Sequence, residues 1–188
     1  MNAQHRAELI EILARESYFQ RKVTLSSGKV SDYYLDCRRA IFIPRAAFLV
    51  GELMIDLVRE ANVAQIGGMA VAAVPVTDAI IAAAYRHNLD LRGFFVRKEQ
   101  KQHGMQQLIE GAFRPEVRTA VVEDAVTTGG SSLHAVAAMR EAGASVVAAF
   151  SIVERGEGGA EAFAREKLDY RFICTADEIR ATVGAPSS

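Results

Sequence analysis

Paired acids and a run of small hydroxyl-bearing residues stand side by side in the segment 121-VVEDAVTTGGSSL-133. Glu123 and Asp124 follow an apolar run, and threonines, glycines and serines come shortly after them. A turn of this composition that leads into a helix presents free backbone N–H groups and the positive end of the helix dipole. Glycines also let the backbone approach a phosphate closely. The segment therefore predicts an anion site.

The two carboxylates must serve another part of the same ligand, because acids repel phosphate. They can accept hydrogen bonds from sugar hydroxyls, or hold Mg²⁺ directly or through water. Acids on one side and a phosphate cradle on the other match a ribose 5-phosphate lying across the turn. A solvated strand end followed by a capped helix is the plainer alternative for the same residues.

A second group of residues suited to chemistry is basic. Arg97, Lys98, Lys101 and His103 are crowded together in 94-FFVRKEQKQHGMQQLIEG-111. Their position after an apolar run, in a polar segment that contains glycine, predicts an exposed loop. Such a loop would serve as a lid that closes over an anion and excludes water, or it would be no more than a solvated basic turn.

The periodicity of apolar residues predicts the elements that position these groups. The N-terminal segment is predicted to be a helix with Ala7 and Ile10 on its apolar face, and 23–39 a hairpin. The further predicted strands are 63–68, 91–96, 118–124, 145–154 and 170–175, and the further predicted helices are 46–60, 75–88, 131–144 and 177–183. Strands that alternate with helices imply an α/β fold with a mostly parallel sheet and helices on both faces. Ligands of such sheets bind beyond the carboxyl ends of the strands, where the acid pair lies.

The composition of the chain limits its class. A chain of 188 residues with net charge −1 predicts one globular domain and disfavours a dedicated nucleic-acid binder. Cys37 and Cys174 form no CxxC pair, which predicts two buried free thiols in a reducing cytosol. No apolar run approaches the roughly 20 residues that span a bilayer, and the N-terminus lacks the apolar core of a signal peptide. We therefore expect a cytoplasmic protein.

Several enzyme classes lose support because their motifs are missing. The Gly28-Lys29 pair lacks the earlier glycine of a Walker A loop, no GxGxxG follows a strand, and HExxH and GxSxG do not occur. The histidines show no metal-ligand spacing. These absences disfavour phosphate-loop NTPases, dinucleotide dehydrogenases, zinc hydrolases and α/β-hydrolases.

Three segments carry a family resemblance. VVEDAVTTGGSSL resembles the phosphoribosyl-diphosphate (PRPP) motif of type I phosphoribosyltransferases, whose acid pair faces the ribose hydroxyls and whose following loop wraps the 5-phosphate. RKEQKQHG is similar to the RKExKxHG loop of orotate phosphoribosyltransferases, and 24-TLSSGKVSDYYLDCR-38 is similar to their TLxSGxxSxxYxDxR hairpin. The match covers roughly residues 5–155, in the order of the family.

The resemblance implies a type I phosphoribosyltransferase-like fold in a single domain, 1–188, with a hood of about residues 1–40 plus the C-terminal end over the base site. It implies transfer of the 5-phosphoribosyl group from PRPP to orotate, which gives orotidine 5′-monophosphate and diphosphate in de novo pyrimidine biosynthesis. Mg²⁺ would be the cofactor, held mainly through PRPP. The partners would be orotate, PRPP and a second identical subunit that shares the 97–111 loop, with no nucleic acid and no membrane.

The family's site roles fall on matching positions of this chain. The catalytic residues would be Lys101, His103 and Asp124. The diphosphate would contact Arg97, Lys98, Lys101 and His103. The ribose 5-phosphate would contact Glu123, Asp124, Ala125, Val126, Thr127, Thr128, Gly129, Gly130 and Ser131. Orotate would contact Thr127, Lys29 and Arg155, whose planar guanidinium suits the orotate carboxylate.

The chain departs from the family at two places. Many relatives carry a lysine at the position of Ser26, for which Lys29 would compensate, and others carry one in the loop that is 67-GGMAVAAVPVTDA-79 here. A phosphoribosyltransferase for another base and a non-catalytic PRPP-sensing regulator of the same fold are the alternatives. Arg155 and the basic loop argue against the first, and the low net charge and short chain argue against the second.

Overall fold

The computed structural model describes residues 1–24, 30–99 and 108–184 of the chain. Its N-terminal part is one helix followed by two short antiparallel strand pairs. These elements are α1 (Ala3–Glu16), β1 (Tyr18–Phe19), β2 (Val23–Thr24), β3 (Val30–Ser31) and β4 (Tyr34–Leu35). Pairing of β2 with β3 confirms the predicted hairpin. β1 also pairs with β4, which was not predicted because two-residue strands show no period.

A six-stranded sheet forms the centre of the structure. The remaining elements are α2 (Cys37–Ile41), α3 (Pro44–Ala61), β5 (Gln65–Met69), α4 (Ala73–Arg86), β6 (Arg92–Val96), β7 (Ile109–Gly111), β8 (Arg118–Val126), α5 (Gly130–Glu141), β9 (Ser145–Glu154), α6 (Gly159–Arg165), β10 (Asp169–Thr175) and α7 (Ala176–Val183). The strand order is β10-β9-β8-β5-β6-β7, and only β7 runs antiparallel to its neighbour. The predicted α/β architecture is therefore confirmed.

The order of the strands determines where a ligand can bind. From β5 the chain proceeds to β6 on one side, whereas β8, β9 and β10 follow one another on the other side. The direction of winding therefore reverses between β5 and β8. In open parallel sheets a crevice opens at such a reversal, beyond the carboxyl ends of the strands.

Apolar side chains cover both faces of the sheet. Ala120 and Val122 of β8 pack with residues of α1, α3 and α4, whereas Val121 between them packs with residues of α5. Alternate residues of a strand point to opposite faces. The central strands are therefore apolar on both sides, as is typical of parallel strands covered by helices. Cys37 and Cys174 are buried free thiols, as predicted.

An ion pair links the N-terminal helix α1 to the C-terminal helix α7. The Arg6 guanidinium in α1 donates to both carboxylate oxygens of Glu178 in α7, at 2.7 and 2.9 Å. Its Nε also donates to the carbonyl of Ile173, at 2.7 Å. Thr175 and Glu178 form a capping box that begins α7. These contacts fix the N-terminal helix beside the C-terminal helix.

Some boundaries differ from the predicted ones. β8 continues to Val126, so the acid pair lies inside the strand rather than at its end. The prediction for Ala7 was wrong: Ala7 is exposed, and Leu9 and Ile12 are buried on α1 instead. Gly143, with φ of +90°, follows the end of α5 as expected of a helix stop. In the described part of the chain, no helix has the length and apolarity that crossing a bilayer requires.

Candidate active site

A cavity of about 470 Å³ opens where the winding reverses, beyond the carboxyl ends of β5 and β8. Its lining residues are Tyr34, Leu35, Asp36, Arg38, Ala72, 123–132 and Arg155. All of the residues predicted to hold the ribose 5-phosphate belong to this set, and so does Arg155. Four segments that are distant in sequence therefore meet around one space.

The turn after β8 presents backbone N–H groups to the cavity. Gly129, with φ of +78°, precedes α5, and no side chain caps the helix. The left-handed conformation of Gly129 favours glycine over residues with a side chain. The first N–H groups of a helix have no acceptor within that helix, and the helix dipole adds positive potential there. The predicted anion site thus has the backbone geometry that it needs.

Helix α6 packs directly against this turn. A Cβ atom on Gly159 would lie 2.3 Å from Cγ1 of Val126 and 2.8 Å from the carbonyl oxygen of Thr127. Such separations are far shorter than van der Waals contact, so the approach requires glycine. Phe163 of the same helix lies beside Gly129, since a Cβ there would be 3.5 Å from Cζ of Phe163. The start of α6 therefore sets the position of the turn.

The acid pair is buried at the floor of the cavity. Glu123 is 7% exposed, and its Oε2 accepts a hydrogen bond from Ser132 Oγ at 3.3 Å. Asp124 Oδ1 accepts from the N–H of Ala125 at 2.8 Å. Burial, reinforced by the neighbouring Asp124 carboxylate, raises the pKa of Glu123 to about 8. Burial also raises the pKa of Asp124. The pair therefore retains a proton near neutral pH.

The raised pKa of Glu123 has a consequence for stability. We expect the free energy of unfolding to fall as pH rises from about 4.5 to about 8. In this window the folded chain holds a proton that the unfolded chain has released, so rising pH favours unfolding. The stabilisation is complete below about 4.5 and is lost as pH passes about 8. Urea denaturation across this range would measure it.

Glu123→Gln is the matched variant for this measurement, because it keeps the shape and removes the titration. It should flatten the profile by an amount on the order of a few kcal/mol. Glu52 and Glu178 have lowered pKa values and titrate below the window. Identical pH profiles for the wild type and Glu123→Gln would contradict the assignment.

Arg155 lines the same cavity as the turn, with a side chain that is only 5% exposed. Its backbone N–H donates to the carbonyl of Val126 at 3.0 Å, and its Cζ lies 5.1 Å from the ring centre of Tyr33. Nε is 3.0 Å from Oε1 of Glu157. Among the described residues, no acceptor meets hydrogen-bond geometry with Nε or Nη2. The contact between Nε and Glu157 is therefore an ion pair without a hydrogen bond. The Tyr33 ring and the Glu157 carboxylate therefore hold the guanidinium in place at the cavity.

The segment after β4 adds residues to the site that sequence reasoning did not assign individually. Asp36 caps α2, and its carboxylate accepts from Nε and Nη2 of Arg38, at 2.8 and 3.2 Å. The positive charge of Arg38 acts to lower the pKa of Asp124, against the larger effect of burial. The signal was present, because YLDCR belongs to the hairpin motif that resembles the family.

The residues predicted to form a lid lie either outside the cavity lining or outside the described residues. Arg97 does not line the cavity, and its Nη1 donates to Oε1 of Glu110 at 3.0 Å. Lys98 is exposed and also outside the cavity lining. Lys101, His103 and Lys29, like Ser26, lie outside the described residues. Contacts of the basic loop with a diphosphate thus stay a prediction.

Metal-binding geometry within the protein is limited. Across residues 1–24, 30–99 and 108–184, no group of three or more His, Cys, Asp or Glu side chains is arranged to hold a metal ion. Asp36, Glu123 and Asp124 nevertheless line one cavity and offer hard oxygen donors. Such donors fit Mg²⁺, which usually takes only one or two carboxylates and completes its shell with water and ligand phosphates.

Comparisons with known proteins identify the family to which the chain belongs. No family model matches it. It is 43% identical to the orotate phosphoribosyltransferase of Rhodopirellula baltica over 175 residues, which covers 90% of this chain and 91% of that protein. It is 45% identical to the enzyme of the same name from Corynebacterium glutamicum, which covers 92% of each. Its structure resembles the Mycobacterium tuberculosis orotate phosphoribosyltransferase in complex with PRPP, with a TM-score of 0.79, 39% identity and coverage of 94% of this chain and 99% of that one. The chain therefore belongs to the orotate phosphoribosyltransferase family.

Proposed function

We propose that this chain transfers the 5-phosphoribosyl group from PRPP to orotate and releases orotidine 5′-monophosphate and diphosphate, a step of pyrimidine biosynthesis. One observation carries the proposal: the acid pair, the phosphate-binding turn and Arg155 line the same cavity. Each suits a different part of the two substrates. The turn suits the 5-phosphate, the acids suit the ribose hydroxyls, and Arg155 suits the orotate carboxylate.

The proposed mechanism depends on stabilising the charges that develop on the ribose ring and the leaving diphosphate. As the bond from C1 of the ribose to diphosphate loosens, the ring acquires positive charge and the leaving group gathers negative charge. Asp124 and Glu123 would hold the ribose hydroxyls and stabilise the positive ring, while the backbone N–H groups of residues 129–131 fix the 5-phosphate. Catalysis then depends on positioning and charge stabilisation rather than on a protein nucleophile.

Mg²⁺ is the proposed cofactor. Bound PRPP would supply most of its ligands, and the carboxylates of Glu123 and Asp124 would hold it directly or through water. When bound, the ion would neutralise charge on the departing diphosphate. The raised pKa of Glu123 describes the cavity without a cation, and a bound cation would favour the ionised carboxylate.

Recognition of the base is assigned to Arg155, with Thr127 and Lys29 as further contacts. A fixed guanidinium that faces the cavity suits an acceptor base with a carboxylate, which orotate has and purines lack. Tyr34 and Leu35 come from the N-terminal part and line the same cavity. This supports a single domain, 1–188, in which residues of about 1–40 and the C-terminal end form the hood over the base.

The lid and the second subunit belong to the same proposal. Arg97, Lys98, Lys101 and His103 would close over the diphosphate, which keeps water from PRPP. The 97–111 loop would reach the active site of a second copy, so that the active unit is a homodimer. We place the enzyme in the cytoplasm, with no nucleic-acid or membrane partner.

One assay tests the proposed function. Orotate absorbance should fall when the protein is mixed with orotate, PRPP and Mg²⁺, and a chelator should stop the loss. Adenine, hypoxanthine and uracil in place of orotate test the alternative acceptors. A PRPP-sensing regulator would bind PRPP without consuming orotate. Absence of turnover with orotate, in a folded protein supplied with Mg²⁺, would overturn the proposal.

A further inference from the structure

We propose that Glu157 is a positioning residue for base recognition, which holds the Arg155 guanidinium in a fixed orientation beside the ligand cavity. The inference rests on the proposed function, since it names what prepares the orotate-binding group of that site. The sequence pattern SIVERGEGG places the two residues in one short segment between β9 and α6. The contacts around that segment carry the argument.

The backbone that carries Arg155 is fixed on both sides. Oε1 of Glu154 accepts a hydrogen bond from the N–H of Gly156 at 2.7 Å, and Oε2 accepts from the Tyr170 hydroxyl at 2.5 Å. The N–H of Arg155 itself is bound to the carbonyl of Val126 at 3.0 Å. Glu154 is 8% exposed, so water competes little for these bonds. The start of the Arg155 side chain is therefore rigid.

The far end of the side chain has two supports. The ring of Tyr33 lies against the guanidinium at 5.1 Å, and Tyr33 in turn stacks on Tyr18 with ring centres 5.4 Å apart. This stack restrains one side of the guanidinium. Glu157 lies at Nε, 3.0 Å away. Since a guanidinium is planar and its donors point outward in fixed directions, these two contacts determine where the remaining donors point.

The guanidinium that these contacts restrain belongs to the cavity lining. Nη2 is buried and has no hydrogen-bond acceptor among the residues that the structure describes, and Arg155 lines the cavity. The Glu157 side chain is 15% exposed, and its Oε2 likewise has no donor in that part of the chain. Glu157 thus offsets the charge of a buried arginine that lines the cavity. Because the arrangement exists before the ligand arrives, orotate need not order a long side chain on binding.

Glu157→Ala tests this role by kinetics. We expect the KM for orotate to rise about 10-fold, because Arg155 keeps its charge but loses its orientation. The kcat should stay within about 2-fold, because the carboxylate contact is made equally in the bound substrate and the transition state, and the KM for PRPP should stay within about 2-fold, because PRPP does not contact Arg155 in the proposed mechanism. Glu157→Asp retains a carboxylate near Nε, so it should recover most of the orotate affinity. Glu161→Ala, on the exposed first turn of α6, is the matched control.

Equilibrium binding provides a second readout that does not need turnover. Orotidine 5′-monophosphate carries the carboxylate, whereas UMP is the same nucleotide without it. The ratio of their dissociation constants measures the carboxylate contact alone, and it should fall about 10-fold in Glu157→Ala. UMP binding should stay unchanged, which also verifies that the variant is folded.

The outcomes separate the inference from the proposed function. An unchanged orotate KM in Glu157→Ala, an equal loss of binding for both nucleotides, or a failure of Glu157→Asp to recover affinity would each overturn the role of Glu157. Each of these outcomes is compared with a wild-type protein that is active on orotate. If the wild type itself does not consume orotate, the proposed function fails instead.

Discussion

Asp124→Asn is expected to lower kcat/KM by about 10²-fold or more, the scale of loss when one charge-stabilising group is removed from an active site. Asp124 lines the cavity beside the turn after β8, and in the proposed mechanism positive charge develops there on the ribose. Asparagine keeps the size of the side chain but removes the negative charge. Steady-state rates of orotate consumption, with PRPP and orotate varied in turn, measure the effect.

The variant should lose activity without losing stability. Burial raises the pKa of Asp124, which means that the folded chain disfavours its ionised form. A neutral asparagine removes this cost, so the melting temperature should be equal or higher. Asp169→Asn, which alters an exposed ion pair with Arg171, is the matched control. A fully active Asp124→Asn enzyme would refute the assignment.

The same variant tests whether the basic loop acts across subunits. A chain with Asp124→Asn and a chain with Lys101→Ala should each be poorly active by themselves. If the loop of one subunit serves the active site of the other, a mixed dimer contains one site with both intact residues. Partial recovery of activity on mixing is therefore expected. Absence of recovery after verified subunit exchange would favour action within one chain.

Gly159→Ala is expected to lower kcat/KM for PRPP by about 10²-fold, although residue 159 touches no substrate in the proposed mechanism. The added Cβ would meet Cγ1 of Val126 at 2.3 Å and the Thr127 carbonyl at 2.8 Å. Backbone cannot retract as a flexible side chain can, so the phosphate-binding turn must shift. A misplacement of about 1 Å can cost on the order of 10²-fold in rate.

Stability should fall in the same variant. Forcing extra volume into a packed site costs about 1–3 kcal/mol, which thermal denaturation would detect as a lowered melting temperature. Gly184→Ala is the control glycine, because a Cβ there meets only the Ala181 carbonyl at 3.9 Å. If Gly159→Ala binds PRPP as the wild type does, α6 does not set the position of the turn.

Long elements were predictable from the sequence because their patterns are long enough to show a period. β9 was predicted with both of its boundaries, and α3, α4 and β10 to within two residues. The short helices α2 and α6 and the edge strand β7 were missed. β7 exists because Ile109, Glu110 and Gly111 pair with β6, and such a pairing is decided by distant residues rather than by local sequence.

The candidate site was likewise predictable where local sequence determines it, and not where distant residues do. The turn at 123–131 was predicted from residue types that bind anions and hydroxyls, and Arg155 from the family motif. Glu157 was not assigned, although it stands two residues after Arg155, because an acid in a glycine-rich loop is usually solvated. Tyr33 and Tyr170 were missed because they act through contacts with residues distant in sequence: the Tyr33 ring contacts Arg155, and the Tyr170 hydroxyl donates to Glu154. Only the folded chain brings these groups together.

The two buried cysteines make the enzyme convenient for site-directed labelling. Burial raises the pKa of Cys174 to about 12 and places that of Cys37 well above its ordinary value. Since maleimides and other thiol reagents attack the thiolate, neither native cysteine should compete for a probe at neutral pH. Glu99 is exposed at the start of the basic loop. A fluorophore attached to Glu99→Cys could therefore test the proposed lid closure in an otherwise unaltered chain.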